Sequence, residues 1–467
     1  MRDTLARQNV TISKTLTLYA VYKKLPYTVT FNNNNGTSTS KIYTSLTMYA
    51  SKNQKVTLPD VPKVKGYTNL GWTTEKGETE PEYSAGDTVK ITKATQFYAV
   101  RRKSNYYTVS YYLGNGSTNA AYQKLTQTVE EGTVVTFAKV PARTGYVNQG
   151  WSSKKNSEKA TAKAKCTVNK NITLYAVQKK AVQLTFHRCD GSTWQKTTLA
   201  KGSSYSLPGV RDAEGYTFMG WSTKPMQSVS PQYEAEEKIT VNGNVDLYAV
   251  VFNRTTETDL TEDQLPQVDI YKYKQVIFVG DSRTEFMENV LTGMGESATK
   301  NVKFVCSAGK GLDWFTTTGW AQLYSIVQHD SNSILSKKTA VIFNFGVNDL
   351  SKSADYAEYY NWIAPQLKSK GCELYFMSVN PVNRLMLPNA GRADRSEAAV
   401  RSFNQYMKAN LSSAYTYIDM YSYLKSTGYS FASDHYGTGT VDDGLHYTTR
   451  TYKRIFAKCM DSLRVPA

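Results

Sequence analysis

The stretch VIFVGDSRTEFM, residues 276–287, decides the fold of the C-terminal half. Four apolar residues, Val276 to Val279, run straight into Gly280, Asp281 and Ser282. Such a run reads as a buried strand that stops abruptly, with Gly280 allowing a sharp turn and Ser282 opening a helix. Similar runs follow at 302–306, 340–346, 373–380 and 414–420, separated by amphipathic segments such as YAEYYNWIAPQLKSKG. Alternation of continuous apolar strands with helices predicts a parallel sheet covered on both faces. Ligand sites in such sheets lie at the carboxyl ends of the strands. The residues that carry chemistry are therefore expected just after the apolar runs.

Four groups meet that expectation. Gly280-Asp281-Ser282 follows the first run, and Ser307-Ala308-Gly309-Lys310-Gly311 follows the second. Gly346-Val347-Asn348-Asp349 follows the third, and VDDGLHYT, with Asp443 three residues before His446, precedes a last helical stretch. Together and in this order, these blocks resemble the SGNH, or GDSL-type, serine hydrolases over about residues 275–465. The resemblance implies a three-layer, flavodoxin-like α/β domain. It implies Ser282 as nucleophile, His446 as general base and Asp443 as its partner. It also implies an oxyanion hole made by the Ser282 N–H, the Asn348 amide and a glycine N–H, Gly311 with Gly309 as the alternative. No metal or cofactor is called for.

The residue types fit these roles. A serine hydroxyl needs a base to become a nucleophile. A carboxylate beside the base fixes its tautomer and stabilises the cation as it forms. Free N–H groups at a helix start favour developing negative charge. Each residue also has a plainer reading. Ser282 is a residue type that caps helices, Asn348 one that caps loops, and His435 in ASDHYGTG competes with His446. Asp281 is read as bracing the turn and Asp442 as pointing elsewhere, while His329 is read as a helix cap and His187 as structural. Two positions depart from the family pattern. Arg283 stands where leucine is usual, which sets a cation near the substrate entrance, to bind an anionic group or pair with Glu285 or Asp313. Ser307 stands where many members have asparagine.

The first half is a repeat array. YAV recurs at Tyr19, Tyr98, Tyr175 and Tyr248, and GYxxxGW begins at Gly66, Gly145 and Gly215. Each unit opens on an alternating strand, such as YTVTF at Tyr27, YTVSYY at Tyr107 and VQLTF at Val182. Period two with Gly and Asn at the turns favours strands. Trp72, Trp151 and Trp221 are read as core fillers rather than sugar platforms. The pattern resembles the internalin-type B repeat (Listeria-Bacteroides repeat) of bacterial surface proteins. That resemblance implies a small, all-β, β-grasp-like fold, a spacer or adhesion role, and an extracellular or cell-wall setting of Gram-positive type. The expected organisation is the end of a truncated repeat at 1–24, B repeats at 25–103, 104–180 and 181–252, a linker or wrapping segment at 253–273, and the hydrolase at 274–467.

Charge divides the chain the same way. Residues 1–255 hold 34 Lys and Arg against 17 Asp and Glu, whereas residues 256–467 hold 22 of each. The whole formal charge of +17 thus lies in the repeats. It serves either as a solvated surface or as an attraction for an anionic cell-wall polymer. Nucleic acid is not favoured, since there is neither a recognition-helix pattern nor zinc-finger spacing. No run of about 18 apolar residues marks a membrane span. The N-terminus lacks the apolar core of a signal peptide, and opening inside a repeat points to a piece of a longer chain. The five cysteines are too sparse for a disulfide framework.

The functional expectation is a secreted or cell-surface serine esterase that deacylates a glycan, often by removing acetyl, with the repeats as stalk or wall-binding modules. One alternative is an adhesin or spacer whose hydrolase domain is secondary. Another is a lipase or thioesterase of the same family, less favoured because there is no long apolar lid.

Overall fold

The computed structural model describes residues 27–34, 40–328, 337–387, 395–432 and 443–464, with a few isolated positions between 13 and 19. His329, His435 and Asp442 lie outside the described residues. The chain divides into two compact units, Met1–Lys179 and Lys180–Ala467.

Each repeat builds its core on a tryptophan. In the first, strand Tyr27–Asn33 pairs parallel with Thr95–Lys103, which pairs antiparallel with Tyr67–Thr73. In the third, Leu184–His187 pairs parallel with Val245–Tyr248, and Tyr216–Ser222 returns antiparallel. Trp72, Trp151 and Trp221 are buried, and each indole N–H donates to a backbone carbonyl thirteen residues earlier, on Pro59, Ala138 and Pro208. Burying an indole costs free energy unless its N–H finds such a partner. Gly71 and Gly220 precede two of these tryptophans at φ +153° and +142°, where a Cβ would lie 2.2 and 2.5 Å from the carbonyl oxygens of Tyr83 and Tyr233. The expected all-β character needs one amendment. The first two repeats carry one-turn helices at Lys41–Thr44 and Ala120–Gln123, which bury Tyr43 and Tyr122. The third has a strand there instead, Thr193–Ala200.

Among the described residues the C-terminal domain is built on a five-stranded parallel sheet. Its strands are β1 (Tyr273–Gly280), β2 (Val302–Cys306), β3 (Lys338–Asn344), β4 (Cys372–Met377) and β5 (Tyr415–Ile418), in the spatial order β2-β1-β3-β4-β5. Among the described residues its longer helices are α1 (Ser282–Thr292), α2 (Trp320–Gln328), α3 (Ser353–Lys368), α4 (Glu397–Asn410), α5 (Met420–Thr427) and α6 (Thr449–Ser462). Alternate side chains of β1 serve opposite cores. Ile277 and Val279 pack with Phe315, Tyr360 and Phe403, and Val276 and Phe278 pack with Met287, Phe456 and Met460. Both faces are thus covered, which explains the unbroken apolar runs. The order reverses between β1 and β3, and that switch point is where such sheets bind ligands.

The segment at 253–273 wraps rather than links. Leu265 and Val268 join the core beside Phe456, and buried Glu257 accepts hydrogen bonds from Ser430 Oγ and Arg454. Among the described residues no helix is long and apolar enough to cross a membrane.

Candidate active site

Strand β1 ends at Gly280, and Asp281 caps α1 by accepting the Arg283 N–H at 3.0 Å. Ser282 is therefore the first helical residue and not the cap. Gly280 is required for a different reason than the expected sharp turn, since its φ is not positive. A Cβ there would lie 1.9 Å from Thr284 Oγ1 and 2.9 Å from the Asn344 carbonyl oxygen. The glycine lets the first turn of α1 close over the end of the sheet.

The structure brings Ser282, His446 and Asp443 together. His446 Nε2 lies 2.9 Å from Ser282 Oγ, and Nδ1 lies 2.6 Å from Asp443 Oδ2. Nδ1 must carry the proton to bond a carboxylate, so Nε2 is the face offered to the hydroxyl. The other carboxylate oxygen accepts the N–H groups of Leu445 and His446 at 2.8 and 2.7 Å, which locks the Asp443 side chain. All three residues are at most 5 % exposed. Phe286, one turn along α1 from Ser282, sets its ring edge-on to the imidazole at 4.5 Å.

Asn348 and the second glycine block meet at the end of β3. The Asn348 amide donates one N–H to the Lys310 carbonyl at 2.7 Å, and its oxygen accepts from Arg395. That arginine fixes which way the amide faces. Asp349 accepts the Leu312 N–H at 2.9 Å and the Tyr356 hydroxyl at 2.7 Å. Gly311 makes room for this carboxylate, because a Cβ would lie 2.3 Å from Asp349 Oδ2. Gly309 sits at φ +70° with open space around it.

Arg283 is not at a substrate entrance. It is 2 % exposed, and its Nε, Nη1 and Nη2 donate to the carbonyls of Leu445, Asn380 and Pro381 at 3.0, 3.0 and 2.9 Å. Its guanidinium also lies over the Tyr447 ring. Neither expected acidic partner meets it, since Glu285 accepts the Ala308 N–H and Asp313 pairs with Lys352. Charge alone suggested an exposed cation. A planar fork with five donors suits three converging carbonyls equally well. Arg283 therefore ties the helix that bears Ser282 to the segment that bears His446. His187, as expected, is held within its repeat, by Asp246 at 2.8 Å and against the Tyr248 ring.

Sequence reasoning missed Phe286 and Arg395. Phe286 was findable, because i and i+4 share a helix face. Arg395 carries no local signal, since only the tertiary fold brings it to Asn348.

Comparison with known families agrees with this architecture. The chain carries three Listeria-Bacteroides repeats, matched over residues 27–100, 107–177 and 183–250, followed by a GDSL-like lipase/acylhydrolase domain, matched over residues 276–459. It is 28 % identical over 237 residues to a Gly-rich membrane protein of Evansella cellulosilytica, covering 50 % of this chain and 26 % of the relative. A second membrane protein of that organism is 28 % identical over 235 residues, covering 50 % of this chain and 33 % of the relative. The chain thus spans about a quarter to a third of the length of the curated relatives it matches. Among solved structures it is similar to the catalytic domain of a Streptococcus pneumoniae peptidoglycan O-acetyltransferase, with 15 % identity and a TM-score of 0.26 over 41 % of this chain and 94 % of that one. An acetyl xylan esterase gives 11 % identity and a TM-score of 0.29, over 40 % and 99 %.

Proposed function

We propose that this chain is a serine esterase of the bacterial cell surface that removes acyl groups, acetyl foremost, from a glycan. The observation that carries the reading is the buried line from Ser282 Oγ through His446 to Asp443, at 2.9 and 2.6 Å, on the carboxyl side of a parallel sheet. Ser282 attacks the ester carbonyl and passes its proton to His446 Nε2. Asp443 stabilises the imidazolium. The Ser282 N–H, the second Asn348 amide N–H and the Gly311 N–H (Gly309 in its place as the alternative) receive the oxyanion. Removing one such donor costs roughly 3–4 kcal/mol of barrier. The sugar hydroxyl leaves with the proton from His446, and water enters through the same base to release the acid. No step calls on a metal or cofactor.

The glycan assignment draws on the surface-protein repeats and on the carbohydrate named for the two solved structures above. The reading is tested with the full chain on p-nitrophenyl acetate, together with a fluorophosphonate probe and peptide mapping. Turnover and a single adduct on Ser282 support it. Turnover with the adduct elsewhere overturns the site, and no turnover with no adduct overturns the esterase reading in favour of a spacer or adhesin.

A further inference from the structure

We propose that the third repeat is a positioning part of the catalytic apparatus, holding through Asn383 the segment that carries Asp443 and His446. The inference rests on the serine esterase reading above.

The segment from Asp443 to Tyr447 has several anchors, including the Ala432 backbone, which bonds Asp443 and His446, Arg283 on the Leu445 carbonyl, and the Tyr447 hydroxyl on the Pro381 carbonyl. Another is the Asn383 N–H, which donates to the Gly444 carbonyl at 2.8 Å. The two backbones touch there. Gly444 sits at φ +67°, and a Cβ on it would lie 2.3 Å from the Asn383 carbonyl oxygen. Wherever Asn383 is held, Gly444 is held, and with it the carboxylate one residue before and the imidazole two residues after.

Asn383 is held by the repeat. Its side-chain amide donates to the Val210 carbonyl at 3.0 Å and to Asp212 Oδ1 at 2.8 Å. Asp212 is a fixed acceptor. Its side chain is fully buried, takes the Phe218 N–H at 3.0 Å, and pairs with Arg254 at 2.7 Å. The surrounding contact is core-like. Met219, Val250 and Phe252 of the repeat belong to the same apolar cluster as Phe278 and Phe456. A Cβ on Gly428 would lie 2.3 Å from the Phe252 ring. Buried Lys425 reaches from α5 to Glu234 at 2.7 Å and to Glu397 at 3.3 Å. The two carboxylates hold it charged against its own burial.

These features are peculiar to the third repeat. Counted from each core tryptophan, the place of Asp212 is taken by Lys63 and Ala142 in the first two repeats, and that of Met219 by Leu70 and Gln149. Counted from each YAV tyrosine, the place of Phe252 is taken by Arg102 and Lys179. A spacer has no use for the Asp212 carboxylate and the Phe252 ring at places where its siblings carry lysine, alanine or arginine. A repeat built into an enzyme needs one, because bound geometry is sensitive and a misplacement of about 1 Å can cost about 100-fold in rate.

The test uses the full chain and p-nitrophenyl acetate. Asn383→Ser keeps a hydroxyl to accept the Leu385 N–H, as the asparagine does at 3.2 Å, but cannot reach Val210 and Asp212. It should lower kcat by about 10-fold or more while KM stays within about twofold, and should slow fluorophosphonate labelling in parallel. Asn383→Asp keeps the size and the cap but sets a carboxylate against Asp212, and should lose more kcat than the serine variant. Arg384→Ala removes an ion pair to Glu236 at the same boundary without touching Asn383, and should leave kcat unchanged. Unaltered kcat in both folded Asn383 variants overturns the proposal, as does an equal loss in Arg384→Ala, which would mean general loosening. A wild type that neither turns over ester nor labels at Ser282 brings down the esterase reading, and this inference with it.

Discussion

On the proposed reading, a single hydroxyl separates an enzyme from an inert domain. Ser282→Ala removes only the Oγ that faces His446 at 2.9 Å. We expect activity below a few per cent of wild type with an unchanged circular dichroism spectrum. A higher residue of activity would place the nucleophile elsewhere. With His446 as base, kcat/KM should climb with pH through a single titration in the range of about 6–7 usual for a histidine base, and His446→Ala should abolish it. Asp281 gives a separate pH signature, in stability rather than rate. Burial, partly offset by the Arg283 charge, raises its carboxyl from 3.8 to about 6. Between those values the folded chain holds a proton that the unfolded chain has released, so stability falls as pH rises through that window. Asp281→Asn keeps the cap and cannot ionise. Its unfolding free energy should lose that slope and exceed wild type above pH 6 by up to about 3 kcal/mol, at about 1.4 kcal/mol per unit. Parallel urea curves at pH 4.5 and 7 decide, and identical slopes in both proteins would refute it. The residue types of the candidate site were legible because serine follows the first apolar run and the D-x-x-H pair precedes the last helix, in a recognisable order. Arg283 was not, because sequence records a charge and not the three carbonyls that bury it.

At the scale of elements, the five apolar runs and the five strands coincide to within a few residues, since buried parallel strands must be apolar throughout. What periodicity could not supply was the reason for each glycine. Gly280 and Gly311 are places where one element closes on another, against Thr284 and Asp349. Gly280→Ala should therefore destabilise by about 1–3 kcal/mol through overpacking, read from a shift in the denaturation midpoint. An unshifted midpoint would mean that α1 yields more easily than its contacts imply. The strand Thr193–Ala200 in place of a one-turn helix was equally illegible. The repeats agree at their YAV and GYxxxGW positions and diverge between them, so motif spacing says nothing of that exchange.

For the whole molecule, the compact units sharpen the charge division seen in the sequence. Met1–Lys179 holds 26 Lys and Arg against 10 Asp and Glu, whereas residues 180–467 hold 30 against 29. If the first unit recruits an anionic wall polymer, full-length protein should outpace residues 180–467 on acetylated wall material at low salt and match it on p-nitrophenyl acetate. The advantage should vanish near 1 M salt, where the Debye length shrinks to about 3 Å. Equal rates on wall material at low salt would leave the charge as solvation only. The seat of Phe252 against Gly428 also bears on how such a gene can be recombined. Family boundaries invite a splice at the end of the last repeat, near residue 250. A splice there would carry away Met219, Val250 and the Asp212 anchor, and leave an apolar scar beside a Lys425 ammonium that keeps Glu397 but loses Glu234. The compact cassette begins instead near residue 180, so that a graft of this hydrolase is expected to need one repeat along with it.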